Sequence, residues 1–350
     1  MHLQRLFAGA VVKSTITALV SLAVLFGAGD ADAQTGEAAY YKGKSVKMIV
    51  GYGPGGGYDV YARMIAPYLA RALDASVVVE NQPGAGGLTA LNRIYTAQPD
   101  GLQIMIVNGT AAGSAQLIDQ EAVRYDLAKV GHLGLISASP WIWHVRQDAP
   151  YLTLADVMKP GVKVRWAATG LIDSMSDGAS IMCEALKINC QVVIGYKGSN
   201  EAVLAVVRGE MDAIYSSDTS ANSYVKSGQT RPIVTLSRDK SRFFPDLPSI
   251  FESVAMTPEQ EWWFNLRATL DALGRILVTT PNLPPERLAF LQNTVKRVLQ
   301  DPVIMAEGER TQRYVDFLDA EKTRQMAIAT VSALTPEQKE KAKRVMTRSD

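Results

Sequence analysis

Two glycine-rich stretches carry the residues best suited to chemistry. Gly51, Gly53 and Gly56 satisfy G-x-G-x-x-G, and a second run, Pro83-Gly84-Ala85-Gly86-Gly87, follows about thirty residues later. Glycines between a strand and a helix let the backbone approach a ligand and leave its N–H groups unshielded, while the helix N-terminus adds a field that favours an anion. That geometry is expected twice, at Gly55–Asp59 and at Gly84–Leu88. One chemistry it suits is dinucleotide binding, with Glu80 placed as the ribose-binding acid. Pro54 interrupts that motif, and the G-K-[ST] of a nucleoside triphosphate site is missing. Two convergent sets of N–H donors with little positive side-chain charge suit a carboxylate better.

The elements that must hold these loops alternate. Ser45–Val50 reads as a strand, and Tyr58–Leu73 as a helix with Val60, Met64, Ile65, Tyr68 and Leu69 on one face. Ser76–Val79 is the next strand, Leu88–Thr96 a helix, and Leu102–Val107 a strand after the Pro99-Asp100-Gly101 turn. In an open parallel sheet such loops meet at the carboxyl edge, where ligands bind. Asn108 and Gly109 end the third strand at that edge and join the candidate set. A second α/β unit follows: a strand over Val162–Ala168, the Thr169-Gly170 loop, a helix ending near Leu186, and short strands at Gln191–Ile194, Met211–Tyr215 and Pro232–Leu236. The late strand Arg275–Thr279 and the helix opened by Pro284-Pro285 read as a return to the first unit.

Composition narrows the function classes. Lys+Arg total 36 against 35 Asp+Glu, a net charge of +1, which argues against nucleic acid. The N-terminus has Arg5 and Lys13, an apolar run over Ile16–Ala28, and Ala31-Asp32-Ala33, the three parts of a secretory signal peptide. Cleavage after Ala33 would leave a periplasmic protein. Cys183 and Cys190 are the two cysteines, and spacing leaves pairing and free thiols equally open. His132 and His144 lack H-E-x-x-H or C-x-x-C context, so no metal is expected, and G-x-S-x-G is absent. No cofactor and no enzymatic activity are expected.

The stretches VGYGPGGGYDVYAR (Val50–Arg63), VVVENQPGAGG (Val77–Gly87) and Pro99-Asp100-Gly101 resemble the Bug/TctC family, the extracytoplasmic solute-binding receptors of tripartite tricarboxylate transporters. The resemblance continues through Tyr196-Lys197-Gly198-Ser199, Gly209-Glu210-Met211-Asp212 and Phe244-Pro245-Asp246-Leu247-Pro248-Ser249. It implies an α/β, two-lobed, type II-like periplasmic-binding-protein fold, each lobe a sheet flanked by helices, with the ligand cleft between them. The expected first lobe is 34–143 plus 240–330, the second 144–239, with hinges near Trp143–Arg146 and Leu236–Asp239 and a C-terminal helix or tail over 331–350. On the first lobe the resemblance assigns Gly56, Gly57, Asp59, Pro83, Gly84, Ala85 and Gly86 to the ligand, through backbone amides and ordered water.

Three departures bear on specificity. Tyr58 stands where members often have Thr or Ser, and favours an aromatic or bulky ligand. The second-lobe loop, Thr169 to Ser176, lacks the family's histidine, and Ser216-Ser217 replace a frequent acid. Thr169, Gly170, Ser174, Lys197 and Ser216 are the second-lobe candidates. Plainer roles stand beside these: Asp59 as a helix cap, Thr169, Ser174 and Ser176 as caps, Lys197 as a solvated turn lysine, Trp141 and Trp143 as core. The resulting expectation is a monomeric receptor that closes on a small carboxylated solute and delivers it to integral-membrane transporter subunits. A sensing subunit, or a secreted oxidoreductase using a nucleotide cofactor, are the alternatives.

Overall fold

The computed structural model describes residues 36–347, and the leader segment expected over residues 1–33 lies outside them. β1 (Ser45–Val50) is buried along most of its length because both faces of its sheet carry helices. The chain continues through α1 (Gly57–Leu73), β2 (Ser76–Asn81), α2 (Leu88–Tyr95), β3 (Gln103–Asn108), α3 (Gly109–Leu117) and β4 (Gly131–Ser137). It then crosses to β5 (Trp141–Arg146), α4 (Leu154–Val157), β6 (Lys163–Ala167), α5 (Ser174–Leu186), β7 (Asn189–Val193), α6 (Ser199–Val207), β8 (Ala213–Ser217), α7 (Asp218–Lys226) and β9 (Thr230–Thr235). The return comprises α8 (Ile250–Ser253), α9 (Pro258–Asp271), β10 (Arg275–Thr279), α10 (Pro285–Leu299), α11 (Pro302–Thr311), α12 (Ala320–Val331) and α13 (Pro336–Met346).

These strands form two sheets, ordered β2-β1-β3-β10-β4 and β7-β6-β8-β5-β9. β1, β2 and β3 are parallel, whereas β10 runs antiparallel to both β3 and β4. The second sheet repeats the plan, with β6 parallel to β7 and β8, and β5 antiparallel to β8 and β9. Each lobe is therefore a mixed sheet flanked by helices. All of β5 belongs to the second sheet, so the expected hinge at Trp143–Arg146 falls inside a strand, and the chain crosses earlier, between Ser137 and Trp141.

The C-terminal helix α13 packs on α5 rather than trailing away. Ala342 and Met346 are buried, and Lys341 lies 2.7 Å from Glu259 on α9. The cysteines settle in the bonded state: Cys183 on α5 and Cys190 on β7 form a disulfide across a sequence separation of 7, with Cα atoms 6.1 Å apart. Closing a loop of this size constrains the unfolded chain by about 2.5 kcal/mol. A Cys183→Ser/Cys190→Ser protein is expected to lose about that much in denaturant unfolding. Wild type in reductant should match it.

Candidate functional site

The first glycine loop is held by Asp59. Its carboxylate accepts the Gly55 N–H at 2.8 Å and the Asn81 amide at 2.9 Å, and pairs with Arg63 at 2.9 Å. Burial pushes this carboxyl up, but the hydrogen bonds from Arg63, Gly55 and Asn81 outweigh it and hold it below the ordinary range. Asp59 thus shapes the loop from behind. What the loop presents forward is the start of α1, where Gly56 is the N-cap and no side chain caps the exposed N–H groups. Gly57 lies close to the second lobe: a Cβ there would stand 2.7 Å from Ser220 Oγ, which would have to turn aside.

The second lobe contributes two more uncapped helix starts. α6 begins after Gly198, and α7 after Ser217, neither with a side-chain cap. Ser199, Ser217 and Ser220 bring these termini to one pocket together with Gly56, Gly57, Tyr58, Asn108 and Ser216. Elsewhere α5, α9, α11, α12 and α13 are each capped by a side chain, while α2 and α10 are uncapped as well. Ser216 is fixed from behind by His144 Nε2 at 2.8 Å, whose Nδ1 meets Thr230 Oγ1 at 3.0 Å. Burial pushes this imidazole down to about 3, so it stays neutral and serves as a hydrogen-bonding strut.

Arg275, the first residue of β10, supplies the positive charge. It is only 3% exposed. Its Nη1 donates to Ser139 Oγ at 3.0 Å and Ser137 Oγ at 3.4 Å, and its Nη2 to Ser217 Oγ at 2.7 Å and Thr219 Oγ1 at 3.3 Å. Nε has no partner among the described residues. The guanidinium packs over the Tyr61 and Tyr58 rings at 4.5 and 5.5 Å. Its contacts are neutral hydroxyls and ring faces, so among the described residues no carboxylate touches this buried cation, although buried Asp218 attracts it through space.

The pocket has a volume of about 430 Å³ with its open mouth counted. Trp141, Met175, Asp173 and Tyr52 complete its wall. Asp173 is occupied as the N-cap of α5, accepting the Thr169 and Gly170 N–H groups at 2.9 and 2.8 Å, along with the Thr169 hydroxyl and the Met175 N–H. Tyr52 forms a partition: its hydroxyl donates to Gly86 O at 2.7 Å and accepts from Asn108 Nδ2 at 2.8 Å. Beyond it, Pro83, Gly84, Ala85, Gly86, Thr169 and Lys197 line a separate crevice.

The sequence candidates therefore divide. Gly56, Gly57, Tyr58, Asn108 and Ser216 share the pocket with Arg275, and the second glycine loop faces the crevice. Four others line neither. Asp59 braces its loop, Gly109 packs against Leu273, Ser174 donates to Asn108 Oδ1 at 2.8 Å, and Gly170 meets the second glycine loop, where a Cβ would come within 2.6 Å of Gly86 N. The Ser174 and Gly170 contacts join the lobes, as does the first loop's Gly53 N, which donates to Lys197 O at 2.7 Å. Arg275 is the residue that sequence reading missed. In an all-parallel sheet a strand's first residue sits at the edge away from the ligand. β10 is antiparallel, and the pairing of Arg275 with Asn108 puts it level with the ligand loops. A lone arginine opening the apolar run Arg275–Thr279 was the available signal.

The family model for the tripartite tricarboxylate transporter family receptor, TctC, matches residues 61–328. Among curated relatives, a UPF0065 protein of Bordetella pertussis is 26% identical over 291 residues, covering 80% of this chain and 88% of that protein. Protein BugT of the same organism is 27% identical over 249 residues, covering 68% and 74%. The solved structure of the periplasmic binding protein BugD superposes with a TM-score of 0.74 at 22% identity, covering 89% of this chain and 100% of that one. MatC from Rhodopseudomonas palustris with bound malate gives 0.67 at 21%, covering 87% and 99%. These structures share the two-lobed fold. The chain belongs to the tripartite tricarboxylate transporter family of receptors.

Proposed function

We propose that this protein captures a small organic carboxylate between its lobes in the periplasm and presents the closed form to the membrane subunits of a tripartite transporter, without catalysing a reaction. The observation that carries this reading is the convergence of three uncapped helix N-termini and the unpaired Arg275 guanidinium on one pocket. Each helix start attracts negative charge, and a buried cation that no carboxylate contacts, with Asp218 acting on it only through space, is stabilised when an anion binds directly. The malate of the MatC structure and the adipate of R. palustris Rpa4515 belong to those proteins, and both are small organic acids. A disulfide suits an oxidising compartment.

The dinucleotide alternative draws no support from the second strand. Glu80, its ribose-binding acid, is engaged by Lys47 at 3.1 Å and Gln82 at 3.4 Å. Closure follows from the contacts: ligand touching both lobes stabilises the closed arrangement, because only differential affinity shifts such an equilibrium. Thermal-shift screening against mono-, di- and tricarboxylates tests the reading. An acid at 100 times its dissociation constant should add about 2.7 kcal/mol of stability, and solution scattering should show the protein contract. Stabilisation by nucleotide cofactors alone would refute the receptor reading.

A further inference from the structure

We infer that the ligand is an aromatic monocarboxylate whose single negative charge is the counter-ion of Arg275. The inference rests on the receptor reading and narrows it to one substrate class.

The charge lining the pocket sets the number of carboxylates. Arg275 is its one basic side chain. Lys197 opens into the crevice beyond Tyr52 and does not reach this space. Arg267 is held between Asp177 and Asp271. The pocket's one acid, Asp173, already accepts four donors of its own lobe and has no spare positive partner for a second anionic group. A first carboxylate gains the guanidinium and the helix starts at Gly57, Ser199 and Asp218. A second would be buried against Trp141, Met175 and Asp173, an environment that penalises charge strongly.

The walls set the shape of the remainder. From the first lobe Tyr58 is backed by Tyr52, stacked at 4.9 Å and 19°. From the second, Trp141 is backed by Tyr215 at 5.3 Å and 29°. A ring supported from behind by another ring is held stiffly, and the Arg275 guanidinium lies 5.5 Å from the Tyr58 centroid. Two ring-backed aromatic side chains lining one pocket favour an aromatic ligand, which gains ring–ring contacts. Met175 adds a polarisable, adaptable side chain at the same surface.

The test is calorimetric titration of the purified protein with benzoate, nicotinate, benzamide, succinate and citrate. Benzoate or nicotinate should bind, with benzamide weaker by roughly 100-fold or more, the scale expected when one partner of a buried charge pair is missing, and succinate and citrate weaker by a similar factor because their further charges would be buried uncompensated. Arg275→Gln should lower benzoate or nicotinate affinity by a similar factor with an unchanged near-ultraviolet circular dichroism spectrum. Succinate or citrate binding as tightly as the aromatic acids would overturn this inference and leave the carboxylate receptor intact. Binding of benzamide on a par with benzoate, or full affinity in folded Arg275→Gln, would overturn the role of Arg275. Failure of every acid in the panel would overturn the inference together with the receptor reading. If Arg275→Gln does not fold, the benzoate–benzamide comparison on wild type decides.

Discussion

Gly170→Val should yield a folded protein that binds its acid at least 100-fold more weakly and no longer contracts on binding. The three atoms nearest a Cβ at position 170 all belong to the opposite lobe: Gly86 N at 2.6 Å, the Ala85 carbonyl carbon at 2.8 Å and Gly86 Cα at 3.2 Å. All are backbone, so no rotamer change relieves them. Position 170 does not have a left-handed backbone, and its N–H bond to Asp173 is untouched by the substitution. The clash therefore falls on the closed form alone. Inverting a two-state equilibrium from 99:1 to 1:99 takes about 5.5 kcal/mol, and apparent affinity falls with the fraction of competent protein. Titration with the tightest acid found, scattering with and without it, and the melting temperature of the apo form check this. Unchanged affinity with normal contraction would mean that the Gly86–Gly170 contact is incidental to closure.

The second large effect is expected at Arg267, which is fully buried. Its guanidinium contacts Asp177 of α5 and holds Asp271 through Nε at 3.0 Å and Nη2 at 2.7 Å. Ser114 of α3 donates to the other Asp177 oxygen at 2.6 Å. Tyr215 and Trp141 pack against the guanidinium at 5.0 and 5.5 Å. Arg267→Met leaves two buried carboxylates without their cation, a change that costs about 3–5 kcal/mol and lowers the melting temperature by roughly 10 °C.

Acid should relieve that loss. Burial raises both carboxyls, Asp271 to about 6, against the lowering influence of Arg267. A carboxyl whose folded value lies above its unfolded one favours the folded state when protonated. That contribution is complete below the unfolded value of 3.8 and disappears as pH rises through about 6. Without Arg267 both carboxyls rise further, so the deficit of Arg267→Met should be larger at pH 8 than at pH 5. Thermal unfolding at the two pH values measures it. A deficit under 1 kcal/mol, or one equal at both, would show that the cluster does not hold α5 to α9 as described.

The parts of this molecule legible in its residues were those governed by neighbours along the chain. β1 and α1 follow from an apolar run, a glycine turn and a 3.6-residue period, and the two glycine loops fall where strand meets helix. β4 and β5 were not legible because they are buried almost throughout, so no alternation marks them, and His132 and His144 disguise them further. The Thr230 and Ser216 hydroxyls satisfy both ring nitrogens of His144, and Leu127 O meets Nε2 of His132. α3 was hidden by its small residues, Gly109 to Ser114; its helical start is secured by Asn108 accepting from Ala111 N.

By itself, then, the chain specifies two α/β units, a pair of glycine loops between strand and helix and a near-neutral net charge, since backbone freedom, hydrophobic period and net charge are local or additive properties. Tertiary structure decided which loop shares the pocket with a cation, whether the cysteines meet, and where the crossing lies. Arg275 shows why. Its meaning comes from the reversed direction of one strand and from contacts with hydroxyls drawn from both lobes rather than with a carboxylate. Charge compensation in a buried cleft depends on which distant residues converge, and that is set by packing rather than by sequence spacing.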